Sequence, residues 1–487
     1  MRLLLARLST KDSCTALLFL GALALCVLAM LVSFFPKGAG VSGMRAVPIS
    51  VTTKLLRHNP HAGQLHATGR VLPQKAVPLL DQAKALIAGA ETALSHRLDE
   101  SHFFIQLYGG VQRLTTRRVV TDIADPTYTV YKMEEGSLTF TKDKMDWDTA
   151  GNAHNLSRLQ TVLKQRGSEL LYIQAPQKIQ GDGTGQLPYG VFDNGNQCAD
   201  QLLAALKELD VPTMDLRLAF EADGKPWEDY FFKTDHHWKP EAAFFAYDRL
   251  CSAIETYSFQ TPLPDGGTRY RNYQVPDYLR NPDSFSKTTY YDYFLGSQGK
   301  RTGTLYSGTD DIDVWKPNFM TRFRYQSSGG GFDRVGSFED TLLFEDQIAQ
   351  RDLFNGNPYT LYSGGDFPLG RITNYYNPVG PRIMLLRDSF SCALAPFLAL
   401  ACSELYTVDL RYFNDEFLQY VNWLKPDLVF VLYSPGSARL DTTFDFFSPG
   451  KTGTPTGLKT LDRGIVPYLS KNFTPKKDEL FVNSLAK

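Results

Sequence analysis

The run PRIMLLRDSFSCALAPFLALACSELYTVDLRYFNDEFLQYVNWLKPDLVFVLYSP, residues 381–435, decides the fold. Apolar residues fill consecutive positions in IMLL (383–386) and LVFVLY (428–433). A strand that is apolar on both faces has to be covered by helices on both faces. The strand-like pieces 381–389, 404–412 and 427–435 are separated by helical stretches at 390–402 and 414–424. That rhythm predicts an α/β body on a parallel sheet flanked by helices. The same alternation comes earlier: helical 153–166, the apolar run SELLYIQAP at 168–176, helical 198–210, extended VPTMDL at 211–216 and helical 239–257. Residues 258–380 break it. They are rich in Gly, Tyr and Phe and carry alternating pieces such as TRFRYQ at 321–326, which predicts a β-rich insertion.

Towards the N-terminus, Cys14 to Phe35 is an uncharged run of 22 residues. At about 1.5 Å per residue it spans roughly 33 Å, enough to cross a hydrocarbon core. Gly38-Ala39-Gly40 and Val41-Ser42-Gly43 would serve as cleavage sites, but the length of the run favours an uncleaved transmembrane helix. Arg2, Arg7 and Lys11 before it are balanced by Lys37, Arg45 and Lys54 after it, so charge alone does not orient the span. A short tail ahead of a large domain is the signal-anchor arrangement, with the body outside the cytoplasm. The expected organisation is a tail at 1–13, the anchor at 14–35, a stalk at 36–72 and a helical lead-in at 73–130. A catalytic domain at 131–440 and a C-terminal tail at 441–487 follow. HNPHAGQLH at 58–66 has neither carboxylate nor cysteine beside His58, His61 and His66 and reads as polar linker rather than a metal site.

Composition narrows the classes. A chain of 487 residues exceeds one compact core. Lys plus Arg (51) against Asp plus Glu (52) leaves no positive field for a nucleic-acid partner. Aromatic content of 13% excludes a disordered chain. The six cysteines form no CxxC pair, so a zinc ribbon or thioredoxin motif is unsupported. Cys198, Cys251, Cys392 and Cys402 read as buried thiols, with a Cys198–Cys251 disulfide as the less favoured alternative.

The chemistry concentrates in two places. In DYFFKTDHHWKPEAAF, 229–244, Asp235, His236, His237 and Trp238 stand before a helix opened by Pro240, at what reads as a strand-to-helix boundary. Six of the eight histidines precede residue 155, so any imidazole chemistry in the body falls to this pair. In LLRDSFSCALAPFLA, 385–399, Ser389 follows an apolar strand ending in Arg387-Asp388 and stands at the mouth of a helix. Its hydroxyl there is either a nucleophile beside helix N-terminal amides or, like Asp388, a helix cap. A serine needs an imidazole to take its proton, and the imidazole needs a carboxylate to hold its tautomer. Ser389 as nucleophile, His237 as base and Asp235 as orienter satisfy that requirement. His236 is then support, and Trp238 pocket wall or core. No metal or cofactor is called for.

These motifs resemble the SGNH hydrolase-like proteins of the DHHW and alginate O-acetyltransferase type. The likeness rests on Thr234-Asp235-His236-His237-Trp238, on Arg387-Asp388-Ser389-Phe390 where such proteins often show Gly-Asp-Ser-Phe, and on Ala175-Pro176-Gln177-Lys178. FLGSQGKR at 294–301, YSGGDFPL at 362–369 and KPDLVFVLYSP at 425–435 extend it over about residues 130–440. Arg387 in place of glycine is the departure. The resemblance implies an SGNH-like fold and a membrane-tethered, extracytoplasmic serine O-acyltransferase or esterase with Asp235, His237 and Ser389 as its triad. Its implied partners are a polysaccharide acceptor and a multispanning membrane-bound O-acyltransferase as acyl donor. The Ser389 amide is the natural first oxyanion donor, with Gly364 or Gly365 as a further one. Lys178 and Arg301 are candidates for binding an anionic glycan or acyl donor, against the alternative of solvated or paired cations.

Two other classes compete. A metal-dependent phosphoesterase would need further ligands for two ions, and no third histidine follows residue 154. A non-catalytic glycan-binding or scaffold protein of the envelope would carry the same fold without a working serine. For the enzyme, activity is expected to decline as pH falls through the imidazole pKa, ordinarily about 6.5.

Overall fold

The computed structural model describes residues 102–448, except 144–147, 263–267, 329–330, 350 and 438–442. The expected tail, anchor and stalk, most of the lead-in, and the region beyond 448 lie outside these residues. Among the described residues no helix is long and apolar enough to cross a membrane.

A helix, Phe103–Leu114, leads into a three-stranded meander of β1 (Val119–Thr121), β2 (Thr129–Lys132) and β3 (Leu138–Thr139). The helical texture expected up to residue 130 therefore ends early. The β-branched residues of VVT and TVY, parted by the Asp125-Pro126 turn, favour extended backbone. β4 (Glu169–Gln174) and β5 (Thr213–Asp215) follow, then two antiparallel pairs, β6 (Ser258–Pro262) with β7 (Thr268–Asn272) and β8 (Phe285–Phe294) with β9 (Asp310–Pro317). β10 (Phe323–Ser328), β11 (Asp333–Gly336), β12 (Leu369–Asn374), β13 (Arg382–Arg387), β14 (Glu404–Val408) and β15 (Leu428–Tyr433) complete the strands.

Among the described residues, eight strands form one sheet in the order β11-β10-β12-β14-β13-β15-β4-β5. From β14 to β5 every pairing is parallel. β12 runs antiparallel to β14, and β10 antiparallel to both β12 and β11. The sheet is thus mixed, not purely parallel, and part of the expected insertion is its edge rather than a separate layer. Tyr325 pairs with Ile372, which pairs in turn with Leu405. The alternation in 321–326 falls on a strand that is buried but for Arg324, with β11 outside it as the edge.

The consecutive apolar residues divide between two cores. Leu171, Ile173, Ile383, Leu385, Phe430 and Leu432 face one, against helices Pro240–Thr256 and Ser391–Ala401. Leu170, Tyr172, Met384, Leu386, Val429 and Val431 face the other, against Thr149–Lys164, Gly195–Glu208 and Phe417–Leu424. Each fully buried Leu, Ile or Val contributes about 1.5–3 kcal/mol. A polar residue at any of these positions would open one of the two layers. Cys198, Cys251, Cys392 and Cys402 are buried thiols, with no disulfide between Cys198 and Cys251.

The connection from β4 to β5 crosses one face by Gly195–Glu208, whereas that from β13 to β14 crosses the other by Ser391–Ala401. The chain therefore turns away in opposite directions on either side of β15. A crevice opens at such a reversal, beyond the carboxyl ends of the strands, and Ser389 stands there.

Candidate active site

Ser389 owes its position to a tight turn between β13 and the helix Ser391–Ala401. The Asp388 carbonyl accepts from the Ser391 amide (3.2 Å) and the Ser389 carbonyl from the Cys392 amide (3.1 Å). The Asp388 carboxylate accepts from the Phe390 amide (3.0 Å) and from the amide and hydroxyl of Ser434 (2.8 Å each), at the end of β15. Asp388 therefore ties the serine turn to the neighbouring strand end. Ser389 itself is half-buried, and its amide has no acceptor among the described residues.

Arg387 packs behind the serine turn, its guanidinium against Cys392 Sγ at 3.2 Å. It is 1% exposed and donates to the Asp366 carboxylate and the Gly365 carbonyl (2.8 Å each). The residue standing in place of glycine thus pins the 364–366 loop and does not crowd the nucleophile. Gly365 enters the arrangement through its carbonyl, an acceptor, which lends no support to an oxyanion role.

The Asp-His-His-Trp motif does not extend from a sheet strand, as its aromatic flank suggested. It is the tip of a tight loop closed by an isolated bridge between Phe231 and Trp238. The Phe232 amide donates to the His237 carbonyl (3.2 Å) and the Lys239 amide to the Tyr230 carbonyl (2.7 Å). Phe231, Phe232 and Trp238 are buried and anchor the loop, and Pro240 starts the next helix. Trp238 Nε1 donates to the Phe390 carbonyl at 2.8 Å, joining the two motifs directly. Trp238 is core.

Although 152 positions apart in sequence, His237 Nε2 and Ser389 Oγ lie 2.8 Å from each other. On its other side, His237 Nδ1 lies 2.5 Å from Asp235 Oδ1. Asp235 Oδ1 also accepts from the His237 amide (3.0 Å), and Oδ2 from the Ser297 amide (2.7 Å). The His237 ring stacks on Tyr359 at 4.1 Å, and the Tyr359 hydroxyl donates to the Ser389 and Phe390 carbonyls. His236 leans on His237 (3.9 Å between ring centres) with Nδ1 3.2 Å from Ser297 Oγ, and its side chain is 43% exposed.

Burial alone would raise the Asp235 carboxyl, but the two imidazoles and the hydrogen bonds from His237 and Ser297 outweigh it and hold it well below the ordinary range. A lowered carboxyl stabilises the fold fully above its unfolded value, about 3.9, and loses that contribution as pH falls through the folded value. The stability difference between wild type and Asp235→Asn should therefore shrink between about pH 5 and about pH 2. Denaturant titrations across that range check it, and a constant difference would contradict the assignment.

Several residues around the relay have no obvious motif of their own. Gly296 and Ser297 hold the back of Asp235. A Cβ on Gly296 would stand 2.2 Å from Asp235 Cβ and 2.6 Å from its Cα. Gly296→Ala must push Asp235 off its histidine and should lower turnover about 10²-fold. Unchanged turnover would mean that the loop has slack. Nothing local in the sequence marks Tyr359 or Asp310, because only long-range contacts bring them here. FLGSQGKR was the one available signal, and it named the segment without naming Gly296 or Ser297.

Two candidate cations are engaged with protein groups, Arg301 away from the serine and Lys178 beside the Asp235 loop. Arg301 pairs with Asp122 and lies over the Tyr128 ring at 3.7 Å, joining the 297–302 segment to the meander away from the serine. Lys178 is 3% exposed and its ammonium is turned onto main-chain carbonyls. Asp235, His236 and His237 place one ligand atom each within 4.8 Å of one another, but Asp235 Oδ1 and His237 Nδ1 are engaged with each other. A cation there would have to displace the contact that orients the base.

Ser389 is reached from two sides. A cleft of about 620 Å³ runs past Lys142, Gln177, Arg411 and Ser437, and one of about 250 Å³ past Lys300, Asn357 and Thr360. Ser389 and His236 line both.

A helix-covered sheet with a serine, a histidine and an aspartate in hydrogen-bonded series beyond its strand ends defines the general class of hydrolase-like α/β proteins. Within that class, residues 137–277 match the family model described as SGNH hydrolase-like domain, acetyltransferase AlgX. The match takes in the Asp-His-His-Trp loop and stops short of Ser389. Bacillus cereus PatB1, in its structure with a sulfonyl adduct, is similar at 19% identity and TM-score 0.50 over 66% of this chain and 98% of that one. A DHHW family protein from Eubacterium siraeum is similar at 15% identity and TM-score 0.50, over 69% and 100%. The resemblance carried by the motifs therefore holds. No curated protein matches the chain.

Proposed function

We propose that the chain is a serine O-acyltransferase, of O-acetyltransferase type, or an esterase. The carrying observation is the unbroken series Ser389 Oγ, His237 Nε2 (2.8 Å), His237 Nδ1, Asp235 Oδ1 (2.5 Å). His237 takes the Ser389 proton as the oxygen attacks the acyl carbon, and the Ser389 amide, which has no acceptor among the described residues, is the donor assigned to the developing oxyanion. Collapse breaks the bond to the leaving oxygen, which receives the proton from His237. A hydroxyl or water then gives its proton to His237, attacks the acyl-serine and releases Ser389. Asp235 stays ionised throughout and stabilises the imidazolium. The AlgX family description, which names an acetyltransferase, supports an acetyl group.

In this reading the acceptor is a cell-envelope or exported polysaccharide, entering by the larger cleft. The 14–35 run tethers the domain on the extracytoplasmic side, and a multispanning acyltransferase hands over the acyl group. The test is transfer: the full-length chain, an activated acetyl ester and envelope oligosaccharides are incubated and the sugars are analysed by mass spectrometry. Acetylated sugar is expected. Ester turnover with no sugar product would reduce the reading to an esterase, and no turnover at all would favour a scaffold.

A further inference from the structure

Two buried charges of opposite sign grip the loop that carries Asp235, and neither belongs to the proton relay. The Lys178 ammonium donates to the Leu138 carbonyl (2.6 Å) and the Asp235 carbonyl (2.5 Å), with the Lys233 carbonyl at 3.4 Å. The Asp310 carboxylate, 6% exposed, accepts from the amides of Lys233 and Thr234 (2.7 Å each) and from the Thr234 hydroxyl (2.6 Å). Two N–H groups of the loop, of Lys233 and Thr234, go to a carboxylate, and two of its carbonyls, of Lys233 and Asp235, to an ammonium. Among the described residues the hydrogen-bond partners of the Lys178 ammonium are main-chain carbonyls.

A buried ammonium held only by main-chain oxygens is costly to keep, and a hydrocarbon side chain would fill the same space. What the ammonium adds is direction. The Asp235 carbonyl belongs to the peptide that leads to His236 and His237, so fixing it fixes how the carboxylate and the ring face each other. We propose that Lys178 is a positioning residue for acyl transfer, its ammonium holding the Asp235 peptide so that His237 Nε2 stays within reach of Ser389 Oγ. The inference rests on the serine reading given above.

Burial lowers the Lys178 pKa to about 8, against the opposing pull of Asp310, Asp235 and Glu135 and with a small push from Lys239. The grip should therefore weaken as the solution becomes alkaline. The test uses the full-length chain and an activated acetyl ester. Lys178→Met should lower kcat about 10²-fold while KM stays within about threefold, and Lys178→Arg, which keeps the charge, should recover part of the loss. The wild-type rate should fall as pH rises through about 8, and Lys178→Met should lack that limb. Wild-type kcat in Lys178→Met, or a raised KM with kcat unchanged, overturns the proposal, the second because it would make Lys178 a substrate ligand. If Lys178→Met does not fold, the wild-type profile decides: a fall near pH 8 supports the proposal and a flat rate overturns it. Full activity in Ser389→Ala would sink the serine reading itself, whatever Lys178 does.

Discussion

Ser389→Ala should lower turnover of an activated acetyl ester by about four to six orders of magnitude, as loss of a nucleophile does in relays of this kind. The expectation follows from how little else the hydroxyl does. Among the described residues its one hydrogen bond is to His237 Nε2, and the turn that holds it is made by main-chain groups and by Asp388. Removing one half-buried oxygen should cost the fold no more than about 1 kcal/mol. Steady-state kinetics and a denaturant titration on the same preparation separate the two effects. A fall of less than tenfold in a folded variant would mean that another group carries the chemistry.

Asp235→Asn should lower turnover on the order of 10⁴-fold. All the partners of the carboxylate are donors: His237 Nδ1–H and the His237 amide on Oδ1, the Ser297 amide on Oδ2. An asparagine NH2 must face one of them. Against Ser297 it pushes the side chain off its seat. Against His237 Nδ1 it forces the ring proton onto Nε2, where the ring can no longer accept from Ser389. Either orientation also removes the negative charge that stabilises the imidazolium. Comparing kcat/KM of the folded variant with wild type checks this, and a ratio near one would reduce Asp235 to a structural residue.

Much of this was legible in the residues. LVFVLY and IMLL could only be strands covered on both faces, and their alternate side chains do fall into two cores. Asp235 and His237 stood out because the adjacent pair His236 and His237 are the only histidines after residue 154, and Ser389 because it ends an apolar strand at a helix mouth. What could not be read was set by partners distant in sequence. The alternation of 321–326 marks a strand, but nothing local says that β12 lies between it and β14. Lys178 and Arg301 illustrate the same limit for charge: one is buried against carbonyls and the other is paired with Asp122, and neither fate is written in its neighbours. Arg387 stands where similar proteins often carry glycine, yet its guanidinium is buried behind the serine turn, against Asp366, the Gly365 carbonyl and Cys392, a fate its neighbours in sequence do not announce.

The most direct measurement is intact-protein and peptide mass spectrometry of the full-length chain, quenched in acid soon after mixing with an activated acetyl ester. The account predicts a single acetyl group on Ser389, formed with the burst of leaving group and absent from Ser389→Ala. Turnover with no acetyl on that residue, or with the label on another side chain, would contradict it.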